Sequence, residues 1–286
     1  MKKLYLTLFF GVFISFTSFA FQVNEFNLKV GDAYQIKVNQ SQEISQMVMG
    51  APNNINTENE SLELLEVESV SSNGIYQLKL TVLEQKTVVA SPMMSLVEDT
   101  ENPDIGSGLY PALKNTFYTF SMSSKGEILN VDGLDDVKSV LASRLSENAQ
   151  AAAQIEALYN EDFVRSTLEQ RFSFFPKSGE TKWSDEKTMT MNDMPIEMKT
   201  DFSYENNYTI KAISNITVEA KTTQMGTNVD LNLSGSQNAT YTLNEVTGFP
   251  TSFESLNNVS GNATAMGMQI PMTINTDTKT TFIIQK

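Results

Sequence analysis

The 286-residue sequence contains no cysteine and no histidine, and only one tryptophan, Trp183. The missing cysteine excludes a disulfide, a thiolate nucleophile, an iron–sulfur cluster, a Cys-ligated zinc and the lipid-bearing cysteine of a lipoprotein signal. The missing histidine removes the base of a Ser-His-Asp triad and the imidazole metal ligand. Positive charge is also scarce: 20 Lys and Arg stand against 34 Asp and Glu, for a net charge of −14. A surface of that sign repels nucleic acid and anionic membranes, so neither is an expected partner. After the first twenty residues, no apolar run reaches the roughly 18 residues of a spanning helix, so an integral membrane protein is not expected.

The apolar run that does exist is at the N-terminus. Lys2 and Lys3 precede Leu4 to Phe16, and Ser18-Phe19-Ala20 supplies small residues at the −3 and −1 positions of a signal-peptidase site. This pattern predicts a cleaved signal peptide over residues 1–20 and an exported chain, periplasmic or secreted and soluble, from Phe21. Export leads to an oxidising compartment, yet no disulfide can form, so the fold must be held by its core.

Most of the remainder reads as β. Tyr34, Ile36 and Val38 share one face, and Tyr76, Leu78, Leu80 and Val82 alternate after a Ser71-Ser72-Asn73-Gly74 hairpin signal. Between Gly133 and Phe175 the period becomes helical. Leu134, Val137, Leu141 and Leu145 form one stripe, Ala149 to Tyr159 continues as a second helix, and Asn160 caps a third that carries Val164, Leu168 and Phe172 and stops at Pro176. The acidic stretch from Ser91 to Pro111 reads as a long loop.

The β pattern repeats around the helices. Lys29-Val30-Gly31-Asp32 and Lys177-Ser178-Gly179-Glu180 each precede an aromatic and then a Met-bearing segment. The expectation is an α+β fold, mostly antiparallel, with two related β-rich halves of half-barrel or curved-sheet type. Residues 21–132 form the first half, 133–175 a helical bridge packed on a sheet, and 176–286 the second half.

Catalytic motifs are weak. Ser184-Asp185-Glu186-Lys187 and Lys177-Ser178-Gly179 share residue types with penicillin-recognising enzymes, but in reversed order and on a strand, where Ser184 and Lys187 face opposite ways. Paired carboxylates would suit a secreted hydrolase, yet nothing selects a pair among 34 acids. Asp99, Glu101 and Asp104 offer oxygen ligands for calcium, but Pro103 falls at a ligand position, and a solvated acidic loop is the simpler reading. No catalytic residue, metal site or cofactor is assigned.

The methionines are the least ordinary feature. Of 14, most cluster: Met47/Met49, Met93/Met94, Met189/Met191/Met194/Met198 and Met266/Met268/Met272. Their thioethers suit Cu(I), but they also make adaptable apolar walls. Met266, Met268, Ile270, Met272 and Ile274 form one apolar stripe, which favours the second use. Met189, Met191, Met194, Met266, Met268 and Met272 are therefore the candidate lining of an apolar site.

The elements Lys29-x-Gly31-Asp32-x-Tyr34, Phe120-Ser121-x-x-x-Lys125-Gly126-x-Ile128-x-x-Val131-x-Gly133-Leu134-Asp135 and Thr247-Gly248-x-Pro250 carry a resemblance. The chain resembles a family of exported Bacteroidota proteins known only as a domain of unknown function. The resemblance implies no activity and no functional residues. At the level of the fold, the two halves are also similar to the half-barrels that carry lipids and lipoproteins across the periplasm. The function expected is a non-enzymatic envelope protein that binds an apolar ligand, a lipid or lipoprotein-like molecule, or a protein partner. An envelope scaffold without a small ligand and a carboxylate-dependent hydrolase are the alternatives.

Overall fold

A computed structural model describes residues 22–48, 50–92, 95–102, 109–144, 159–191, 194–224 and 227–285. The expected signal peptide and nearly all of the second expected helix lie outside these residues. The elements are β1 (Ala33–Val48), β2 (Ala51–Val70), β3 (Tyr76–Ala90), β4 (Ser95–Asp99), α1 (Leu109–Leu113), β5 (Phe117–Met122), β6 (Ile128–Asp132), α2 (Leu134–Arg144) and α3 (Glu161–Phe172). They continue with β7 (Lys182–Met191), β8 (Met194–Asn206), β9 (Thr209–Gln224), β10 (Thr227–Leu243), β11 (Pro250–Ala265) and β12 (Met268–Gln285).

All the strands belong to one curved antiparallel sheet of twelve strands, in the order β6-β5-β3-β2-β1-β12-β11-β10-β9-β8-β7, with β4 added on β3. Apart from β4–β5 and β6–β7, chain-adjacent strands form hairpins, so each arm is a meander. The two arms are joined in the middle by β1 and β12, paired from Ala33–Gln285 to Gln46–Met272. The expected hairpin is present: Gly74 has φ 73°, and the Ser71 hydroxyl accepts from the Ile75 amide at 3.0 Å.

Period-2 patterning decides which face is inner. In β3, Tyr76, Leu78, Leu80 and Val82 are buried, and in β1, Tyr34 and Ile36. In β2 the buried residues are Leu65 and Val67, and Leu62 and Leu64 lie off the core face. Helix α3 packs on this inner face through Val164, Leu168 and Phe172, and the Asn160 side chain caps it by accepting from the Phe163 amide at 2.8 Å. The helix ends at Phe172 rather than at Pro176. Ser173 leaves the helical path to donate its hydroxyl to the Gly126 carbonyl at 2.6 Å, and Phe174 and Phe175 turn into the core.

The same helix meets both outermost strands. Arg165 donates to the Ile128 carbonyl of β6 at 2.8 Å, and Lys187 of β7 reaches the Glu169 carbonyl at 3.5 Å. The sheet therefore curls until one helix covers both of its edges, which would otherwise be open to pairing with other chains. A crease between β10 and β11 assists the curl. There Gly235 and Gly261 sit so close to the neighbouring strand that a Cβ would fall 2.0 and 2.1 Å from its carbonyls.

One end of the trough is sealed by residues 22–28, which run across the hairpin turns. Val23 donates to the Asn207 carbonyl, Phe26 to Ser124 and Asn27 to Thr247. Phe26 then lies edge-on to Phe172, Phe174 and Phe175, with ring centroids 5.0 to 6.4 Å apart. The acidic stretch at 91–111 differs from expectation. It holds β4 and the start of α1, buries Leu109, and leaves Glu98 only 7% exposed, because Val97 and Leu96 pair with Val88 and Val89. The repeated Lys-x-Gly-acid segments precede β1 and β7, strands that occupy the middle and an edge of the sheet.

Candidate functional site

From the sealed end towards the other, the inner face changes chemistry in three steps. The first layer is the main core around Tyr34, Phe172 and Phe249. The second is a belt of polar side chains. Gln40 donates to Thr278, Gln42 to Thr276, Asn59 to Gln40 and Thr87 to Asn59, while Thr87 and Tyr110 hydroxyls meet at 2.7 Å. On the other arm the hydroxyls of Thr200 and Ser214 are 2.8 Å apart. Ser214, Ser255, Thr276 and Thr280 are buried. A buried hydroxyl left without a partner costs about 1–3 kcal/mol, so this cross-strand ladder also fixes the strand register. The amide oxygen of Asn257, in the same belt, is buried and has no hydrogen-bond partner among the described residues.

The third layer is a second apolar cluster. Ile216, Val218, Ala220, Leu233 and Val259 are buried, and Met194, Ile196, Met198, Leu231, Met272 and Ile274 pack on them while partly exposed. Strand patterning places them. Along β9 the inner positions read Ala212, Ser214, Ile216, Val218, and along β12 they read Phe282, Thr280, Thr278, Thr276, Ile274, Met272. Each strand is thus apolar, then polar, then apolar on one face.

The candidate methionines divide. Met194 and Met272 belong to the second cluster. Met189 is half-buried on β7, where the Gln170 amide donates to its sulfur at 3.1 Å and to that of Met198 at 3.4 Å. These groups border a small inner cavity of about 40 Å³ with Tyr241 and Gln237, the size of a single water site. The Met191 side chain lies outside the described residues. The apolar stripe expected along 266–274 is interrupted. Met266 is 78% exposed with φ 52°, because it sits in the β11–β12 turn, and Met268, the first residue of β12, is 46% exposed beside that turn. Only Ile270, Met272 and Ile274 continue on the inner face. Sequence reading missed Ile216, Val218, Leu233 and Val259, although the apolar–polar–apolar sequence on β9 would have found the first two.

Two broader concavities of about 380 and 690 Å³ lie largely on the outer face and are lined mainly by polar residues, among them Asn258, Asp277, Asn232 and Lys221. Ser184 is hydrogen-bonded to Asp201 at 2.6 Å and is exposed, whereas Lys187 faces the other way towards Glu169. Glu101 is ion-paired with Lys114 at 2.5 Å, and Asp104 lies outside the described residues. Among the described residues, no group of three acidic side chains is placed to hold a metal ion.

Tyrosines dominate the buried ionisable groups. Burial, with the nearby charge of Asp32, pushes Tyr34 up to about 12. Burial likewise pushes Tyr159 up to about 12, against a hydrogen bond with Thr116 that lowers it. Burial raises Tyr118, Tyr204 and Tyr241 as well. A tyrosine ionises near pH 10 in the unfolded chain, so above that pH the unfolded state loses protons that the folded state keeps. Stability should be fully present below about pH 10 and fall as pH rises towards 12. Phenolate absorbance should accordingly rise in two steps, exposed tyrosines first and the buried set only near unfolding. A single step near pH 10 would contradict the burial of Tyr34 and Tyr159.

The fold and inner face define a curved antiparallel-sheet protein whose trough is plugged by one helix and apolar beyond a polar belt. Its chain belongs to DUF6263, a family of unknown function whose model matches residues 73–250. Among solved structures it is similar to lipovitellin, in a structure describing lipid–protein interactions. The identity is 12% and the TM-score 0.52, over 91% of this chain and 26% of that one. The chain thus spans about a quarter of lipovitellin, and the likeness shows the fold alone. The translocator domain of the autotransporter NalP from Neisseria meningitidis also matches, at 5% identity and TM-score 0.24, covering 89% of each chain. No curated protein matches the sequence. Among the described residues, no helix is long and apolar enough to cross a membrane.

Proposed function

We propose that this chain is an exported, non-enzymatic envelope protein that binds an apolar ligand of lipid type on the inner face of its trough. The observation that carries the reading is the second apolar cluster. Met194, Ile196, Met198, Met272 and Ile274 leave apolar surface partly open beyond a polar belt, at the end that residues 22–28 do not seal. A layer needed only for folding would be covered as the main core is. Methionine suits a wall that must accept varied chain shapes, because it is unbranched and polarizable. Lipovitellin, with a related sheet, is described through its lipid contacts, which supports the same use here. Residues 21–132 and 176–286 are read as two related halves of one duplicated β unit, each opened by a Lys-x-Gly-acid segment.

The test is mass spectrometry of gently purified protein, followed by titration with a fluorescent long-chain fatty acid. A co-purifying lipid and saturable probe binding are expected. Met194→Gln with Met272→Gln should weaken the probe about tenfold, or about 1.4 kcal/mol, without changing the fold. Absence of both lipid and probe binding would overturn the reading.

A further inference from the structure

Because successive strands are antiparallel, the β1–β2, β3–β4, β7–β8, β9–β10 and β11–β12 connections all fall at one edge of the sheet, opposite the end sealed by residues 22–28. That edge is depleted of charge. Four of the five connections lie within residues 44–57, 87–97, 222–229 and 255–276, which contain no Asp, Glu, Lys or Arg, in a chain that is 19% charged with a net charge of −14; the β7–β8 connection carries one charge, Asp193. The sealed end is different, with Glu25, Lys29, Lys125, Glu127, Glu205 and Glu245 around it.

The uncharged edge also exposes large apolar side chains. Met47 is 47% exposed, Leu96 40%, Met266 78% and Met268 46%. Met266 occupies the first position of a two-residue turn with Gly267, at φ 52° and 77°. Such turns favour Asn or Gly at both positions, and a bulky side chain there is strained. A strained methionine that is 78% exposed contributes little to packing, and its place in the turn calls for a use outside the chain.

We propose that this rim docks on an uncharged phospholipid surface, with the hairpin tips at Met47 and Met266–Met268 entering the headgroup boundary. Charged side chains are expensive at membrane depth, and their removal from these strand ends is what such insertion requires. A charged membrane or a protein partner would instead be met by complementary charge, and apart from Asp193 the hairpin connections of this rim offer none. The acidic body further disfavours an anionic surface. Apolar surface continues from the rim to the inner face through Met272 and Met194. The inference goes beyond ligand binding, since the rim would dock with or without cargo.

The experiment is flotation of the purified protein with phosphatidylcholine vesicles, in low and high salt. Co-flotation that salt does not weaken is expected. Met266→Asp with Met268→Asp should reduce it at least tenfold. Met266→Asn, which suits the turn, should reduce it about threefold while keeping the fold. Val246→Asp, at an equally exposed site on the sealed end, should leave it unchanged. The proposal is overturned if the protein stays with the unbound fraction, if binding needs anionic lipid or vanishes in salt, or if V246D weakens it as much as the rim pair. It is equally overturned if photo-crosslinkers at Met47 and Met268 capture one protein while vesicles are ignored. Fatty-acid titration of the same rim variants separates the two readings: docking should fall while inner-face binding persists.

Discussion

Replacing Arg171 by Met, with Glu63 kept, is expected to destabilise the fold by about 3–5 kcal/mol. Arg171 lies on α3 and Glu63 on β2, with Nη1 and Oε2 2.5 Å apart and each side chain 17% exposed. Burial works against the charge on Arg171, but Glu63 and the neighbouring Tyr118 more than offset it, so its pKa is raised. The loss in the variant comes from the carboxylate that remains, buried without its counter-charge. The double variant Glu63→Leu, Arg171→Met should recover most of the stability, because an apolar pair of similar volume leaves nothing uncompensated. Urea midpoints of the two variants at neutral pH check this. If R171M costs under about 1 kcal/mol, the pair is solvated like a surface bridge and does not anchor α3.

Gly126→Ala should cost about as much, for a different reason. Gly126 turns the chain between β5 and β6 at φ 85°, where an L side chain is strained by about 1–2 kcal/mol. Here a Cβ would also lie 2.0 Å from the Phe172 carbonyl and 3.1 Å from the Phe26 ring. The helix end and the sealing segment must move apart, which adds about 1–3 kcal/mol and loosens the Ser173 contact, for a total of roughly 2–5 kcal/mol. Gly74→Ala is the control. It has φ 73° but nothing within 4 Å of the added carbon, so it should lose only the strain, about 1–2 kcal/mol. Equal losses at the two sites would show that the base of the trough gives way easily.

Much of the fold was legible in the residues. Tyr76, Leu78, Leu80 and Val82 announced a strand, and Asn160 with Glu161 and Asp162 announced the start of α3, because period and capping are local properties. The stretch at 91–111 misled because its acids hid the short apolar pairing of Leu96 and Val97 with β3. Pro176 misled because the helix ends where Ser173 finds a carbonyl in a distant turn, and no local signal encodes that.

The candidate site was legible in kind more than in place. Methionine clusters pointed to an apolar surface, and Met194 and Met272 do belong to one. Met266 and Met268 went instead to an exposed turn and the strand end beside it, since an unbroken stripe of alternate residues cannot reveal where a hairpin reverses.

By itself the sequence determined the antiparallel β character, the helical interruption, the absence of thiol and imidazole chemistry, and the uncharged stretches, all of which are set by composition and short-range order. Only the tertiary structure decided that β1 and β12 join the two arms, that α3 spans both sheet edges, and that the uncharged stretches gather at one rim. Those facts depend on the register of strands far apart in the chain. That register is fixed by which buried faces and polar ladders can be satisfied together, a condition no single segment carries.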